Sequence, residues 1–213
     1  NHIAGLMGAA EILSKIKKDI PGTVKFIFQP AEEGAPLGEK GGAKFMVEEG
    51  VMDNPKVDAI FGLHAWPGKV GTVEYRSGTT MSAAERMRIT VTGSQTHGAV
   101  PWKGVDPIAI SSQIITALQT IVAREVNITQ VPAVVTIGSI HGGVRNNIIP
   151  EEVVMEGTIR TFNDEVRKDI HDSIRKKAEM IASASGATAK VEIFSDIAKV
   201  TFNEPSLTDK MVP

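Results

Sequence analysis

Six segments between residues 86 and 194 constrain the fold of this chain most, because their order permits few arrangements. Short segments that are apolar, or that alternate between apolar and polar residues, predict strands at 86–92, 133–140, 152–162 and 188–194. Apolar residues at helical spacing predict two long helices, at 105–125 and 163–184. One helix follows the first strand and the other follows the third, so the order is β-α-β-β-α-β.

This order is typical of a split β-α-β domain with the ferredoxin-like fold. The helix boundaries carry matching signals. Asp106 and Pro107 begin the first helix, and Asn163 is the predicted N-cap of the second. We therefore predict a small α+β domain over residues 81–195.

The first part of the chain follows a different pattern, α-β-α-β. Helical spacing occurs at 3–18 and 43–49, and short apolar runs predict strands at 23–28 and 57–63. This alternation is typical of a layered α/β unit with parallel strands. We predict that residues 1–80 form part of an α/β domain into which the α+β domain is inserted, and that 196–213 lead back to it. Both ends of the chain look like cuts through a longer protein.

Composition and charge exclude several classes of function. The formal net charge of −2 gives no reason to expect nucleic acid as the main partner. No apolar run reaches the roughly 18 residues of a membrane span, so we expect no membrane partner. The chain has no cysteine, which excludes disulfides, thiolate ligands and thiolate nucleophiles within it. This composition fits a reducing, cytoplasmic compartment.

Two carboxylates and a histidine form the first candidate site. Glu32 and Glu33 follow one predicted strand, and His64 follows the other. Adjacent residues on extended chain point to opposite sides, so one glutamate can bind a metal while the other handles a proton. This combination suggests hydrolysis by a metal-activated water. The alternatives are a solvated acidic pair and a hydrogen-bonded histidine at a strand boundary.

A second group of polar residues lies in the predicted α+β domain. His97 follows the first strand, directly before a glycine, and could donate a hydrogen bond to a developing oxyanion. Arg145 and Asn147 lie in the connection 141–150, and with Arg160 they could face a substrate carboxylate. The alternatives are a plain loop histidine, a Gly/Asn-rich connection and a surface arginine.

Five segments along nearly the whole chain carry a family resemblance. They are PAEEG at 30–34, GLHAWPG at 62–68, the stretch 77–107, GSIHGGVRNNIIPEE at 138–152 and EGTIRTF at 156–162. Together they resemble the M20 family of metallopeptidases and amidohydrolases, above all its N-acyl-amino-acid amidohydrolase branch, which includes hippurate hydrolases and auxin-conjugate hydrolases. The resemblance implies a two-domain enzyme with two Zn²⁺ or Mn²⁺ ions in its α/β catalytic domain. It also implies that the ferredoxin-like domain is a lid and often a dimerisation surface.

The resemblance also implies roles for individual residues and a reaction. Glu32 resembles the general base, Glu33 and His64 resemble metal ligands, and His97 resembles the lid histidine that polarises the scissile carbonyl. Asn147 resembles the lid asparagine near the substrate, while Arg145 and Arg160 are weaker candidates. The implied reaction is hydrolysis of the amide bond of N-acyl amino acids by a homodimer. A dipeptidase or aminoacylase of the same family, and a non-catalytic dimerisation or binding module, remain as alternatives.

The chain departs from the family pattern at both ends. A Cys-Gly-His-Asp segment normally precedes the stretch that begins here at Asn1, and the last metal histidine of the family lies beyond the position of Pro213. The chain therefore holds two of the five ligands that the resemblance implies, Glu33 and His64. We expect it to bind metal poorly and to be inactive alone. His2 matches a histidine near the site that is not usually a ligand, and could also be a frayed terminal residue. His171, within a helix pattern, is expected at the surface.

Overall fold

The computed structural model describes residues 1–32, 36 and 39–212, with the backbone alone at 195–198. The chain forms two compact units, Asn1–Val73 and Glu74–Pro213. Within the described residues, no helix combines the length and the hydrophobicity that crossing a membrane requires.

The first unit contains two helices, α1 (His2–Lys15) and α2 (Gly42–Glu48). The strands predicted at 23–28 and 57–63 are wrong, because neither segment forms a hydrogen-bonded ladder. Large apolar side chains in both segments are exposed, including Phe28 and Leu63. An apolar run indicates a preference for burial, whereas a strand also needs a neighbouring strand to bond with. These two runs do not pair with each other, and no described residue of this unit is buried.

Among its described residues, the second unit contains eight strands and three α-helices. Its strands are β1 (Gly78–Met81), β2 (Ala83–Thr92), β3 (Thr96–His97), β4 (Ala133–Gly142), β5 (Ile148–Ile149), β6 (Glu152–Thr161), β7 (Thr188–Ala198) and β8 (Thr201–Asn203). Its helices are α3 (Pro107–Thr120), α4 (Asp164–Ala184) and α5 (Pro205–Met211). A short π-helical turn, Ile121–Glu125, continues α3.

The main sheet has four antiparallel strands in the order β4-β6-β2-β7. With α3 and α4 in the connections, this is the β-α-β-β-α-β order expected from the sequence. The pairing of β2 with β6 runs without a break from Ala83 opposite Thr161 to Thr92 opposite Glu152. The two outer pairings each contain one irregularity, so the central pair is the regular part of the sheet.

The hydrophobic core lies on one face of this sheet. Every second residue of β2 is buried, as alternation along a strand requires. Met87, Ile89 and Val91 of this strand form one apolar cluster with buried residues of β6, α3 and α4. The side chains that are most completely enclosed include Met87, Ile89, Ile114, Leu118 and Ile174. Burying a side chain of this size contributes roughly 1.5–3 kcal/mol, so this core holds the second unit together.

Side-chain caps fix where the two long helices begin. Asp106 Oδ1 accepts hydrogen bonds from the backbone N–H groups of Ile108 and Ala109, at 2.8 and 3.3 Å. Asn163 Oδ1 accepts from Glu165 and Val166, at 2.8 and 2.9 Å. Each cap satisfies N–H groups that a helix start otherwise leaves unpaired. The predicted cap at Asn163 is confirmed.

A buried carboxylate joins α4 to the sheet. The Glu85 side chain on β2 is only 1% exposed, and its Oε2 lies 2.6 Å from His171 Nε2 on α4. Arg167, one turn earlier on α4, lies 3.7 Å from Glu85 Oε1. The expectation that His171 is a surface residue is therefore wrong, because the acid beneath the helix holds its ring inward.

The strands β1 and β8 form a separate two-stranded ribbon. Gly78 lies opposite Asn203, and Thr79 lies opposite Phe202. The side-chain amide of Asn203 donates to Arg76 O and to Thr80 Oγ1, both at 2.8 Å. The two ends of the sheet-forming segment are thus bound to each other.

Candidate functional site

His97 and Asn147 come together on a short β-ribbon in the second unit. The strands β3 and β5 pair antiparallel, with His97 opposite Ile148. The Gly98 N–H donates to Asn147 O at 2.8 Å, which extends the pairing by one residue. Two residues 50 positions apart in the sequence are therefore held on neighbouring backbone segments.

The hydrogen bonds of His97 determine which of its ring nitrogens is free. The Ala99 N–H donates to His97 Nδ1 at 3.1 Å, so Nδ1 carries no hydrogen. In a neutral imidazole the other nitrogen then bears the proton. His97 therefore presents Nε2–H as a donor, which is the group that a developing oxyanion needs.

Gly98 allows the two backbone segments of this ribbon to approach closely. A Cβ atom placed on Gly98 would lie 3.3 Å from both the carbonyl carbon and the carbonyl oxygen of Asn147. This is tighter than nine in ten real contacts of a Cβ atom. A side chain at position 98 would therefore push the His97 and Asn147 segments apart.

A cleft of about 470 Å³ lies beside this ribbon. It opens between the start of α3 and the connection that joins β4 to β5, and its lining includes Gly98, Asp106, Arg145 and Asn146. Asp106 is already engaged as the cap of α3. Arg145 therefore supplies the positive charge of the cleft, and its guanidinium can bind a carboxylate.

Arg160 lies at the other end of β6 from this group. At about 3.3 Å per residue, the stretch from Glu152 to Arg160 spans roughly 26 Å. Its guanidinium donates to Glu85 O at 3.4 Å, to Ile159 O at 3.0 Å and to the Thr158 hydroxyl. The structure thus brings together His97, Asn147 and Arg145, and leaves Arg160 bound to the sheet. Its role toward a substrate stays a prediction.

Glu32 and His64 belong to the first unit. Glu32 is exposed in a turn and follows Ala31, whose φ of 49° lies in the left-handed region. An alanine in this region is strained by roughly 1–2 kcal/mol, and such strain often occurs at functional sites. Glu33, the predicted ligand, lies outside the described residues. The pair therefore stays a prediction.

His64 has the hydrogen-bonding arrangement of a metal ligand. Its Nδ1 lies 2.8 Å from Ala65 O, which can only accept a hydrogen bond, so Nδ1 is the protonated nitrogen. No hydrogen bond among the described residues uses Nε2. A histidine that donates from one nitrogen to a carbonyl and keeps the other free fits a divalent metal. Across residues 1–32, 36 and 39–212, no three His, Cys, Asp or Glu side chains are grouped closely enough to hold a metal ion.

His2 lies in contact with the His64 segment, a position that the family resemblance indicated and the local sequence pattern did not. The Ala65 N–H donates to His2 Nε2 at 2.6 Å, and the His2 and His64 rings lie 5.2 Å apart. His2 precedes His64 by 62 positions and begins α1, where nothing in the local pattern indicates a contact. The one available signal was the resemblance, which places a histidine here near the metal site.

Nearly the whole chain matches one protein family. Residues 1–212 match the model of peptidase family M20/M25/M40. The chain belongs to this family. The M20 resemblance that the sequence segments indicated is therefore confirmed, and with it the mixed α/β fold.

Two curated M20 relatives give the scale of the similarity. The chain is 40% identical to thermostable carboxypeptidase 2 of Saccharolobus solfataricus over 214 residues, which cover 99% of this chain and 52% of the relative. It is 41% identical to the N-acetyl-L-cysteine deacetylase of Bacillus subtilis over 192 residues, which cover 90% of this chain and 44% of the relative. The chain thus spans about half the length of these relatives.

A solved M20 structure extends the similarity to three dimensions. The crystal structure of the YXEP protein of Bacillus subtilis, a dinuclear metal-binding peptidase of the M20 family, matches with a TM-score of 0.77 and 35% identity. The match covers 98% of this chain and 50% of the YXEP chain. At this identity the similarity is one of family as well as of fold.

Proposed function

We propose that this chain is part of a metal-dependent amidohydrolase that cleaves the amide bond of N-acyl amino acids. The observation that carries the proposal is the His97 ribbon, which presents Nε2–H beside Asn147 and beside a cleft that contains Arg145. The family membership and the relative named as a deacetylase support the same reaction class.

Different residues of this chain carry out different parts of the reaction. Two divalent ions, Zn²⁺ or Mn²⁺, would supply Lewis-acid activation of water, with Glu33 and His64 among the groups that hold them. Glu32 takes a proton from the attacking water and returns it to the nitrogen as the C–N bond breaks, giving a carboxylic acid and an amine. His97 Nε2–H donates to the oxyanion that forms on the carbonyl oxygen. Asn147 and Arg145 bind the carboxylate of the amino acid.

We also infer that residues 81–195 act as a lid and join two copies of the chain into a homodimer. The strand β4 supports this assembly, because it lies at an edge of the main sheet and has β6 as its one partner among the described strands. Val134 and Ile140 on this strand are 48% and 46% exposed. An unpaired edge strand with exposed apolar side chains favours addition of another strand.

The Glu32→Gln variant of the full-length protein tests the catalytic proposal. We expect kcat toward N-acetyl amino acids to fall by at least about 10²-fold, because an amide cannot accept the proton of water. Metal content, measured by elemental analysis, should stay at the wild-type value. Glu48→Gln, at an exposed position on α2, is the matched control and should retain kcat. Near-normal turnover of Glu32→Gln would contradict the role of Glu32.

A peptidase is the second candidate, favoured by the similarity to a carboxypeptidase. Both reactions break an amide bond next to an amino acid and would use the same residues. A panel of N-acyl amino acids and dipeptides, compared by kcat/KM with the full-length protein, separates them. Failure of every amide in the presence of Zn²⁺ or Mn²⁺ would favour a non-catalytic binding module.

A further inference from the structure

His2, His64 and the backbone N–H and C=O of Ala65 form a closed set of contacts in the first unit. The Ala65 N–H donates to His2 Nε2 at 2.6 Å, which is short for a hydrogen bond between two nitrogens. The Ala65 carbonyl accepts from His64 Nδ1 at 2.8 Å. The two imidazole rings lie 5.2 Å apart, with an angle of 54° between their planes. Both polar groups of Ala65 are therefore bound by histidine rings.

These contacts assign different states to the two rings. His2 Nε2 accepts a hydrogen, so in the neutral ring the proton sits on Nδ1 and neither nitrogen offers a free lone pair. His64 is the reverse case, because its Nδ1 donates and its Nε2 keeps a lone pair. Of these two neighbouring histidines, only His64 is prepared to bind a cation.

We propose that His2 is a positioning residue that restrains the Ala65 backbone and thereby the direction of His64 Nε2. The inference rests on the proposed function, in which His64 binds a divalent metal. His64 donates to the carbonyl of Ala65, so the orientation of the residue 65 backbone sets the orientation of the His64 ring. The hydrogen bond from the Ala65 N–H to His2 fixes the peptide plane that precedes Ala65 and thereby restrains this backbone at its N-terminal side. Outer groups of this kind affect metal affinity without touching the metal.

The dissociation constant for Zn²⁺, measured by competition with a chelator on the full-length protein, tests the role of His2. In His2→Phe the ring remains but the acceptor is lost, and we expect the dissociation constant to rise about 10- to 100-fold. In His2→Gln the amide oxygen can replace Nε2 as the acceptor, and the constant should stay within about threefold of wild type. His64→Ala is the reference for loss of a ligand and should raise the constant more than His2→Phe.

A spectroscopic measurement on the metal-free protein tests the contact itself. With ¹⁵N-labelled histidine and alanine, the Ala65 N–H···Nε2 hydrogen bond should give a nitrogen–nitrogen scalar coupling to His2, which His2→Phe abolishes. Absence of this coupling in wild type would overturn the inference, as would wild-type zinc affinity in His2→Phe.

The remaining outcomes separate this inference from the function on which it rests. If His2→Gln loses zinc as fully as His64→Ala, and the absorption spectrum of the Co²⁺-loaded variant shows a lost nitrogen ligand, His2 is a ligand and the positioning role is wrong. If His64→Ala binds zinc like wild type, the ligand assignment of the proposed function fails, and the inference fails with it. If His64→Ala loses zinc while His2→Phe does not, only the inference fails.

Discussion

At the residue scale, the backbone at Gly98 determines how close His97 and Asn147 lie on the ribbon beside the cleft. The Gly98 N–H is bonded to Asn147 O, and the space a Cβ atom would need is occupied by the Asn147 backbone. The hydrogen bond from the Ala99 N–H to His97 Nδ1 then orients the His97 ring. The backbone of residues 97–99 thus sets both the distance between His97 and Asn147 and which nitrogen of His97 carries the proton.

Replacing Gly98 with alanine tests this close approach. The added methyl group must push Asn147 away by a few tenths of an ångström, which displaces it from His97. Because small displacements of reacting groups are costly, we expect kcat/KM of the full-length enzyme to fall roughly tenfold. Gly138→Ala is the matched control, since its Cβ meets only Glu156 O at an ordinary 3.9 Å. Equal kcat/KM values in the two variants would contradict the argument.

At the element scale, α4 is attached to its surroundings at two polar points. One is Glu85, buried beneath the helix and bound by His171. The other is Glu125, in the turn that follows α3, whose carboxylate is bonded to Lys177 Nζ at 2.8 Å and to the Ser173 hydroxyl at 2.6 Å. The Glu85 contact is enclosed, so it is tested best by removing one partner. The Glu125 contact is partly open to solvent, so it is tested best by changing the pH.

The His171→Phe variant tests the enclosed contact. It leaves the Glu85 carboxylate buried, with Arg167 at 3.7 Å as its remaining ion-pair partner among the described residues. Removing one partner of a buried pair is strongly destabilising, and we expect the free energy of unfolding in urea to fall by about 3 kcal/mol. The double variant Glu85→Gln, His171→Phe removes the charge as well and should recover part of this loss. A double variant no more stable than His171→Phe would show that packing, not charge, is the cause.

The second contact predicts a pH dependence. The hydrogen bond from Lys177, and next that from Ser173, hold the pKa of Glu125 below its ordinary value of 4.5. A carboxyl group with a lowered pKa in the folded state stabilises above pH 4.5 and loses this contribution as the pH falls through the lowered pKa. Lys177→Met should therefore destabilise the protein at pH 7 and match wild type more closely near pH 3, as measured by urea unfolding. Lys103→Met, outside this contact, should show no such convergence.

The four strands of the main sheet and the helices α3 and α4 could be predicted from the sequence, because burial of one sheet face imposes alternation on each strand. The short strands β1, β3, β5 and β8 and the helix α5 were not predicted. The same alternation contained an unused signal. Glu85 is in phase with Met87 and Ile89, which places its carboxylate on the core face and calls for a partner from a helix. The partner His171 could not be identified in advance, because the contact depends on how α4 packs across the sheet.

The candidate site was predictable residue by residue but not as an arrangement. His97 and Asn147 were both expected in loops next to strands. Their pairing follows from the register of β2 against β6, which no local pattern specifies. The contact of His2 with Ala65 likewise joins residues 63 positions apart. For the apolar runs at 23–28 and 57–63, local hydrophobicity could not supply the neighbouring strands that a sheet requires.

At the scale of the whole molecule, the two units differ in how they enclose apolar side chains. The second unit has a continuous core of sixteen buried residues. In the first unit, none of the described residues 1–32, 36 and 39–73 is buried, and apolar side chains such as Ile60 and Leu63 are 61% and 72% exposed. Large exposed apolar surface marks a site of interaction. The first unit therefore needs further contacts to cover its apolar side chains, whereas the second unit already has a buried core of its own.

The edge of the second unit gives a test of assembly. We expect the full-length protein to be a dimer, and Ile140→Lys on β4 to shift it to monomer in sedimentation, because a charged side chain on an edge strand opposes pairing. Lys190→Met on the opposite edge strand, β7, should leave the mass unchanged. A dimer that survives Ile140→Lys would place the interface elsewhere.

The β1–β8 ribbon makes the segment between its two strands suitable for insertion into, or removal from, another protein. Gly78 and Asn203 are cross-strand partners, so the Cα atoms at the two ends of segment 78–203 lie about 5 Å apart. A short turn could bridge that gap. The segment between the two residues can therefore be removed or exchanged as one piece. An evolving or engineered host could acquire it, lose it or exchange it at a single surface loop, with no change to the spacing of its own flanking backbone.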